Sequence, residues 1–350
     1  MYPRVNIHLE KYRHNVDHLV NVFHTNLMSI MAVSKVFCAD DMLIEVLNES
    51  DVDFIADSRI DNLKKMKTSK PKVLLCLPQM SEAKDVVLHT DISLNSEIEV
   101  IRVLNEEARQ LERLHSIILM FDVGDLREGI FYTTHYLPII KEILELDSIV
   151  LKGIGTNLTC FGGVIPNKET SYKIQKIKHT IESAFQIKLE IISGGNSSSL
   201  ELLFNHQHPY EINNLRIGEA LVLGRETAYG KQIDNMHDDV FTLEAEIIEV
   251  KDKPSMPEGV LGMDAFGKPV NFTDRGMMCR AILACGKQNV DCHDLIAPEG
   301  VEILGCSSDH LIVNVSQNTF KLGDKMIFKM KYGGILSLMT SPYVRKNYVR

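Results

Sequence analysis

A single lysine interrupts the run of small and apolar residues "MAVSKVFCA", which spans residues 31–39. Because burial of an unpaired lysine is costly, Lys35 either ends a strand and reaches into water or lies in a site that is desolvated for a purpose. In a desolvated site the amine loses its proton more easily and becomes a nucleophile that can form a Schiff base with a carbonyl. The run alone favours the first alternative, so other residues have to decide between the two.

Polar residues that suit an anionic ligand follow several later apolar runs. Arg127 follows the run in "MFDVGDLREGI", and Asn157 follows the run in "GIGTNLTC". The stretch "IISGGNSSS" places Gly195, Asn196 and Ser197 directly before a helical pattern. Backbone amides and hydroxyl groups at the start of a helix are the composition of a phosphate cradle, although such a stretch taken alone is more often a plain turn.

A second candidate phosphate segment, "NLRIGEALVLG", brings Arg216, Gly218 and Glu219. Each arginine taken alone is an ordinary surface or ion-pair residue. An amine nucleophile, a phosphate loop and arginines in one chain are together what pyridoxal 5'-phosphate requires. The lysine takes the aldehyde, the loop binds the phosphate, and a further group faces the pyridine nitrogen. The co-occurrence therefore predicts a pyridoxal-phosphate site.

These residues can meet only if the fold brings the ends of several strands together. Before about residue 230, continuous short apolar runs alternate with helical patterns such as Ser96–Leu114 and Asn167–Phe185. That alternation predicts an α/β fold, a TIM-like (β/α)8 barrel with its chemistry at the carboxyl ends of the strands. From about Phe241, short strands with polar turns predict a C-terminal antiparallel β domain. We therefore expect a barrel domain over residues 1–232 and a β domain over residues 233–350.

The bulk composition excludes several classes of function. The chain has 350 residues and a formal net charge of −9, which argues against a general nucleic-acid binder. No apolar stretch approaches the length that crosses a membrane and the N-terminus lacks an apolar signal core, so we expect a cytoplasmic protein. The seven cysteines include no CxxC pair and indicate reduced thiols. A zinc site from Cys285, Cys292 and His293 fits no common spacing, so no metal is expected.

Several motifs together resemble one family. The stretches "AVSK", "DVGDLREG", "SGGNSS", "LRIGEA" and "SPYVRK" are similar to segments of the alanine racemase fold (fold type III) of pyridoxal-phosphate enzymes. The resemblance covers nearly the whole chain and is greatest to the alanine/ornithine racemase branch, of which "DAFG", "SSDH" and "MTSPYV" are marks. It implies an isomerase of amino-acid metabolism, a racemase whose substrate is ornithine or another basic amino acid. It also implies a homodimer in which the β domain of one subunit completes the barrel site of its partner.

The resemblance implies a role for each matched residue. Lys35 would bind the cofactor covalently, and Arg127 would contact the substrate carboxylate or the ring oxygen of the cofactor. Asn196 and Ser197 would bind the phosphate, together with the preceding glycine amide. Tyr343 would lie in the active-site region and act across the dimer interface.

The same resemblance places Arg216 against the pyridine nitrogen, where related decarboxylases have a glutamate. Gly218 and Glu219 would offer backbone amides to the phosphate, and Asn157, which replaces the family's usual histidine beside the arginine, would also bind the cofactor. An arginine does not give up its proton, so Arg216 would keep the ring nitrogen unprotonated. This arrangement favours a racemase over a decarboxylase.

The second acid/base of the reaction is not assigned by the sequence. Racemisation removes the α proton from one face and returns it to the other, most simply with two groups, of which Lys35 can be one. The family's second base is a tyrosine in a Gly-Tyr-Ala-Asp-Gly turn, but the corresponding stretch here, "ACGKQNVD", has no tyrosine. A basic substrate side chain also needs a carboxylate partner, for which Asp264, Asp291 and Asp309 are candidates.

Two other interpretations stay open at this point. The "SSDH" stretch and the Cys292-His293 pair fit a metal-assisted pyridoxal-phosphate dehydratase or aldolase of a neighbouring branch, although the C-terminal segment lacks the His-x-Cys motif of those enzymes. A non-enzymatic pyridoxal-phosphate-binding barrel would lack the β domain that this chain is expected to have.

Overall fold

The chain divides into two compact units in a computed structural model that describes residues 2–264, 266–267 and 269–350. One unit is Tyr12–His237, and the other joins the N-terminal residues up to Lys11 with Asp238–Arg350. We call them the barrel unit and the β unit. No helix that the described residues form is long and apolar enough to cross a membrane.

The strands, in chain order, are β1 (Arg4–His8), β2 (Ser29–Val33), β3 (Phe54–Asp57), β4 (Lys72–Leu74), β5 (Ile92–Asn95), β6 (His115–Asp122), β7 (Ile130–Phe131), β8 (Ile149–Gly155), β9 (Ile191–Ser193), β10 (Asn214–Ile217), β11 (Phe241–Pro254), β12 (Met277–Leu283), β13 (Leu295–Ile296), β14 (Glu302–Cys306), β15 (Leu311–Asn314), β16 (Lys325–Met330) and β17 (Arg345–Val349). The helices are α1 (Leu9–Thr25), α2 (Asp41–Glu49), α3 (Ile60–Lys65), α4 (Ala83–His89), α5 (Ile98–Gln110), α6 (Leu137–Glu145), α7 (Lys168–Phe185), α8 (Leu200–Phe204), α9 (Glu219–Leu223) and α10 (Tyr332–Thr340). Short 3-10 turns occupy Lys35–Phe37, Met80–Glu82, Ser197–Ser199 and Cys292–Asp294.

The barrel unit confirms the predicted TIM-like fold. Among the described residues, parallel strands run in the order β2-β3-β4-β5-β6-β8-β9-β10, and β10 pairs with β2 to close the ring. Apolar side chains of alternate positions form one buried cluster, as expected where strand residues point alternately to the two faces. The buried members of this cluster are Met31, Val33, Ala56, Val73, Ile92, Leu94, Ile118, Met120 and Ile191.

The barrel determines where the candidate residues lie. All ring strands are parallel, so the segments that follow them emerge at the same end of the barrel. The 3-10 turn of Lys35 follows β2, the loop of Arg127 follows β6, and Asn157 follows β8. The "SGGNSS" stretch follows β9, and Gly218 follows β10. One end of the barrel therefore carries every candidate residue of this unit.

The β unit confirms the predicted antiparallel β domain. Its sheet runs in the order β13-β16-β11-β12-β15-β14. The apolar pattern of β1 groups it with the barrel runs, but in the structure β1 pairs antiparallel with β11, opposite Leu243, and parallel with β17. In β1 the apolar Val5 and Ile7 alternate with polar residues, and such a short pattern does not tell which sheet a strand joins. Helix α10 also lies in this unit, where the sequence predicts no helix.

Candidate active site

Lys35 opens the 3-10 turn that follows β2, and its side chain is exposed. The preceding residue anchors the turn, since the Ser34 amide donates to the Ala56 carbonyl (2.8 Å) and its hydroxyl donates to Asp57 Oδ2 (2.6 Å). Burial raises the pKa of Asp57, and hydrogen bonds from Ser34 and the Arg59 amide partly offset this effect. Within the described residues, no hydrogen bond or ion pair holds the Lys35 ammonium group. The backbone of the lysine is thus fixed while its amine stays accessible to a carbonyl.

Arg216 is buried at the same end of the barrel and is only 5% exposed. Its guanidinium donates to Ser193 Oγ (2.5 Å), to the Thr156 carbonyl (2.7 Å) and to Asn157 Oδ1 (3.3 Å). Burial lowers the pKa of Arg216 to about 10, against an opposing effect of the Glu128 carboxylate. The group therefore stays protonated at neutral pH and is a fixed positive charge between β8, β9 and β10.

Arg127 lies in the loop after β6 and is paired with its neighbour Glu128. The guanidinium donates through Nε and Nη2 to the two carboxylate oxygens, and this hydrogen-bonded pair raises the pKa of Arg127. The Glu128 side chain is 14% exposed and that of Arg127 is 43% exposed. We did not predict Glu128 as a site residue, although an acid next to an arginine after a barrel strand is a signal that could have identified it.

Asn157 lies among hydrogen-bond donors on both sides. Its Oδ1 accepts from Asn196 Nδ2 (2.9 Å) and from Arg216, while the other atom of the amide lies 3.1 Å from Arg127 Nη1. Whichever way the amide is turned, its single oxygen faces only one of these sides. The region between Arg127 and Asn157 therefore has an excess of donors and suits an anionic oxygen.

The "SGGNSS" stretch has the build of a phosphate loop. Gly195 has a φ of +132°, and a Cβ there would lie 2.5 Å from Ser199 Oγ, so only glycine fits. The Asn196 side chain caps the following turn by accepting from the Ser198 amide (2.8 Å). Ser197 Oγ accepts from the Ala220 amide (3.3 Å), which links this loop to the segment after β10.

Two buried hydroxyl groups near this loop have no hydrogen-bond partner among the described residues. They are Thr156 Oγ1 and Ser198 Oγ. Buried hydroxyls are normally satisfied, so two without partners, one directly after β8 and one in the 3-10 turn Ser197–Ser199, point to a bound ligand. An oxyanion such as a phosphate accepts from hydroxyls and from the first amides of a helix, and it fits both.

The segment after β10 contributes backbone rather than side chains. Gly218 precedes helix α9, and a Cβ there would lie 3.2 Å from Val33 Cβ. The Glu219 carboxylate is held by Arg225, which donates to it through Nε (3.0 Å) and Nη2 (2.7 Å). Glu219 can therefore offer its amide at the first turn of α9, as the resemblance implies, while its carboxylate is already engaged.

These features fit pyridoxal phosphate. An accessible lysine, a buried arginine of fixed charge, a donor-rich face and a loop with unpaired hydroxyls each match one part of that molecule. Lys35 would bind its aldehyde, Arg216 would face the ring nitrogen, and the loops around Ser198 and Gly218 would hold its phosphate. The side of Arg127 and Asn157 would face the ring oxygen or the substrate carboxylate.

Tyr343 lies in the β unit, between α10 and β17, and is 73% exposed. Its place in an active site stays a prediction.

The stretches "DAFG", "ACGKQNVD" and "SSDH" contact one another elsewhere in the β unit. The Lys287 ammonium lies over the Phe266 ring (4.1 Å) and 3.8 Å from Asp291.

Of the three carboxylates considered for a basic substrate, two have identified side-chain neighbours in this cluster. Asp309 Oδ1 accepts from Gln288 Nε2 (2.5 Å), and Asp291 lies beside Lys287. Asp264 accepts from the Phe266 amide (2.8 Å). All three lie around the "ACGKQNVD" stretch, and the structure does not single out one of them.

A possible metal-binding group also lies in the β unit, but it differs from the one weighed in the sequence. Among the described residues, ligand atoms of Asp291, Cys292 and His293 lie within 4.8 Å of one another. Cys285 is outside this group, and Asp291 takes its place. The nearby Lys287 ammonium already compensates the Asp291 charge, which works against a cation there. The expectation of no metal stays a prediction.

Comparison with known proteins identifies the family. The N-terminal domain of alanine racemases matches residues 7–226. The ornithine racemase of Acetoanaerobium sticklandii is 45% identical over 350 residues, with 99% of each chain covered. The lysine racemase of Thermotoga maritima is 40% identical over 353 residues, again with 99% of each chain covered.

A solved structure shares the fold. The alanine racemase of Bartonella henselae, described with covalently bound pyridoxal phosphate, superposes with a TM-score of 0.75 at 15% identity and covers 100% of both chains. At that identity the likeness concerns the fold alone. The family match and the two full-length relatives go further: this chain belongs to the alanine racemase family of pyridoxal-phosphate-dependent enzymes.

Proposed function

We propose that the protein is a pyridoxal-phosphate-dependent amino-acid racemase whose substrate is a basic amino acid, with ornithine as the first candidate and lysine as the second. The full-length similarity to an ornithine racemase and a lysine racemase carries the substrate class. The barrel site supports the reaction type, because it combines an accessible lysine with a buried arginine of fixed charge.

Each residue has a defined task in this reaction. When bound, pyridoxal phosphate supplies an aldehyde for the amino group and a conjugated ring that accepts charge from Cα. Lys35 would hold the cofactor and carry the α proton on one face of the substrate. Arg127 would fix the substrate carboxylate by a charge-assisted hydrogen bond. Arg216 would set the charge beside the ring nitrogen.

A chiral assay of the purified protein against a panel of L- and D-amino acids tests the proposal. We expect ornithine or lysine to be converted to an equal mixture of enantiomers faster than arginine, alanine or serine. Absence of inversion for every member, with the cofactor bound, would contradict a racemase.

The same assay distinguishes a racemase from a metal-assisted enzyme, an alternative that remains because ligand atoms of Asp291, Cys292 and His293 lie close together. A dehydratase or aldolase would release an oxo acid or an aldehyde, and treatment with a chelator would abolish its activity. We expect neither product, and we expect inversion to survive chelation because none of the proposed barrel residues needs a metal.

We further propose that the active form is a cytoplasmic homodimer in which the β unit of one subunit completes the barrel site of its partner. In the described residues none of the seven cysteines forms a disulfide, which supports a reducing compartment. Tyr343, largely exposed in the single chain, is the residue we expect to act across the interface.

Complementation between two inactive variants tests the dimer. Lys35→Ala lacks the barrel lysine and Tyr343→Ala lacks the group from the β unit, so each homodimer should have little activity. A mixed dimer has one site with both groups intact, and random exchange of equal amounts makes half of the dimers mixed, so we expect mixing to restore up to about a quarter of the wild-type activity. Light scattering that finds a fully active monomer would rule out the requirement for a dimer.

A further inference from the structure

Among the described residues, Glu128 is the one carboxylate that interacts with the guanidinium groups of both Arg127 and Arg216. Its two oxygens accept from Nε and Nη2 of Arg127, and its charge also interacts with Arg216. Burial alone would raise the pKa of Glu128, but the hydrogen bonds and charge of Arg127 hold it below its ordinary value. The carboxylate is therefore ionised at neutral pH.

The loop that carries this pair is built to be rigid. Gly129 has a φ of +119°, and a Cβ there would lie 2.6 Å from the backbone of Phe121 and Asp122, so the loop packs directly on β6. The Asp122 side chain accepts from the amides of Gly124 (2.8 Å) and Leu126 (3.2 Å). The ends of the loop are thus fixed on the strand that precedes it.

A buried aspartate ties the same loop to the one after β8. Asp125 is 1% exposed, and its carboxylate accepts hydrogen bonds from four backbone amides at 3.0–3.1 Å. The donors are Thr159, Cys160, Phe161 and Val164. Because four charge-assisted bonds hold the two loops together, the Arg127–Glu128 pair has a defined place beside Asn157 and is not a mobile surface ion pair.

The bidentate contact decides what Glu128 can do. Both of its oxygens are engaged by the arginine, so the carboxylate is poorly placed to bind the ammonium group of a basic substrate. Nη1 of Arg127 (3.1 Å) and Nη2, which donates to Glu128, both lie beside the Asn157 amide. The two guanidinium groups and the Glu128 carboxylate together carry a single net positive charge.

We propose that Glu128 is a positioning residue that orients the Arg127 guanidinium toward the substrate carboxylate. The proposal rests on the racemase function proposed above and deepens it. Glu128 acts through Arg127, and its effect is confined to recognition of the carboxylate group that all amino acids share. It does not select the side chain.

Two inhibitors that each carry half of the substrate separate this role from the alternatives. Pentanoate has the carboxylate without any amine, and 1,4-diaminobutane has the amines without the carboxylate. In Glu128→Gln one charge-assisted bond to Arg127 is lost, so we expect pentanoate binding to weaken by about tenfold or more and diaminobutane binding to stay the same. Calorimetric titration of the cofactor-loaded protein measures both and requires no turnover.

The comparison includes a conservative variant and a matched control. Glu128→Asp keeps the charge and should recover part of the pentanoate affinity, which a purely structural role would not produce. Glu106→Gln removes an exposed ion pair with Arg109 on α5 and should leave both inhibitors unaffected. The melting temperature and the cofactor absorbance of each variant show whether it is folded and loaded.

The outcomes are distinct. Weaker binding of diaminobutane with unchanged pentanoate would make Glu128 a reader of the substrate side chain and overturn the proposal, as would no change for either inhibitor. Failure of the racemase function itself would be seen separately, as a lack of inversion in the amino-acid panel with the wild-type protein.

Discussion

Lys35→Ala is expected to lose covalent attachment of the cofactor and to lower racemisation by roughly a thousandfold or more. The lysine has two tasks in the proposed reaction, since it holds the cofactor and carries the α proton on one face. Lys35 lies in the 3-10 turn directly after β2, where its exposed amine is accessible at the end of the strand. The substitution shortens an exposed side chain, so we expect the variant to fold.

Absorbance and mass spectrometry measure the effect. The wild-type protein should be yellow, and borohydride reduction should leave the cofactor mass on the peptide that contains Lys35. Lys84→Ala, which removes an exposed lysine from α4, is the control and should retain the colour, the adduct and the activity. An adduct on any other lysine, or none in the wild-type protein, would disprove the assignment of Lys35.

The sequence predicts those site residues whose position depends only on the barrel. Lys35 and Asn196 each come shortly after an apolar run, Arg216 lies near the end of β10, and parallel strands bring such positions to one end of the barrel. Their roles come from the resemblance, because an isolated motif of each kind is usually a plain turn or a surface charge. The fold class and the cofactor could thus be predicted before any distance was known.

Other features depend on tertiary contacts that a linear pattern does not carry. The unpaired hydroxyls of Thr156 and Ser198 become a signal only when burial and partners are known. Asp125 looks like a loop residue in the sequence, yet it holds the loop after β8 through four backbone amides. Helix α10, "YGGILSLMT", has no polar face to produce a helical period, and two glycines lie in its first turn.

The charge of Arg216 leads to the second large effect. Its guanidinium is buried and remains protonated at neutral pH even though burial lowers its pKa to about 10. If Arg216 faces the ring nitrogen of the cofactor as proposed, its positive charge would keep that nitrogen unprotonated, and the ring would withdraw little charge from Cα. We expect Arg216→Glu to racemise about a hundredfold more slowly or worse, since one preorganised electrostatic contact is lost.

The direction of side reactions distinguishes a charge effect from simple damage. A carboxylate at this position favours a protonated ring nitrogen and a deeper electron sink, so we expect a new long-wavelength absorbance with substrate and measurable transamination. The variant also places a negative charge opposite the Thr156 carbonyl, which now accepts at 2.7 Å from the arginine. Removing one partner of a buried charge interaction typically lowers the free energy of unfolding by about 3–5 kcal/mol. The melting temperature of Arg216→Glu therefore has to be measured in parallel.

Arg216→Lys is the matched variant, because it keeps the positive charge while losing most of the hydrogen bonds to Ser193, Thr156 and Asn157. If the charge beside the ring nitrogen governs the reaction, Arg216→Lys should racemise faster than Arg216→Glu and show neither the new absorbance nor transamination. Equal losses in the two variants, with unchanged spectra, would mean that the hydrogen bonds matter and the charge does not. Unchanged racemisation in both would remove Arg216 from the site, and the preference for a racemase over a decarboxylase would lose its main physical support.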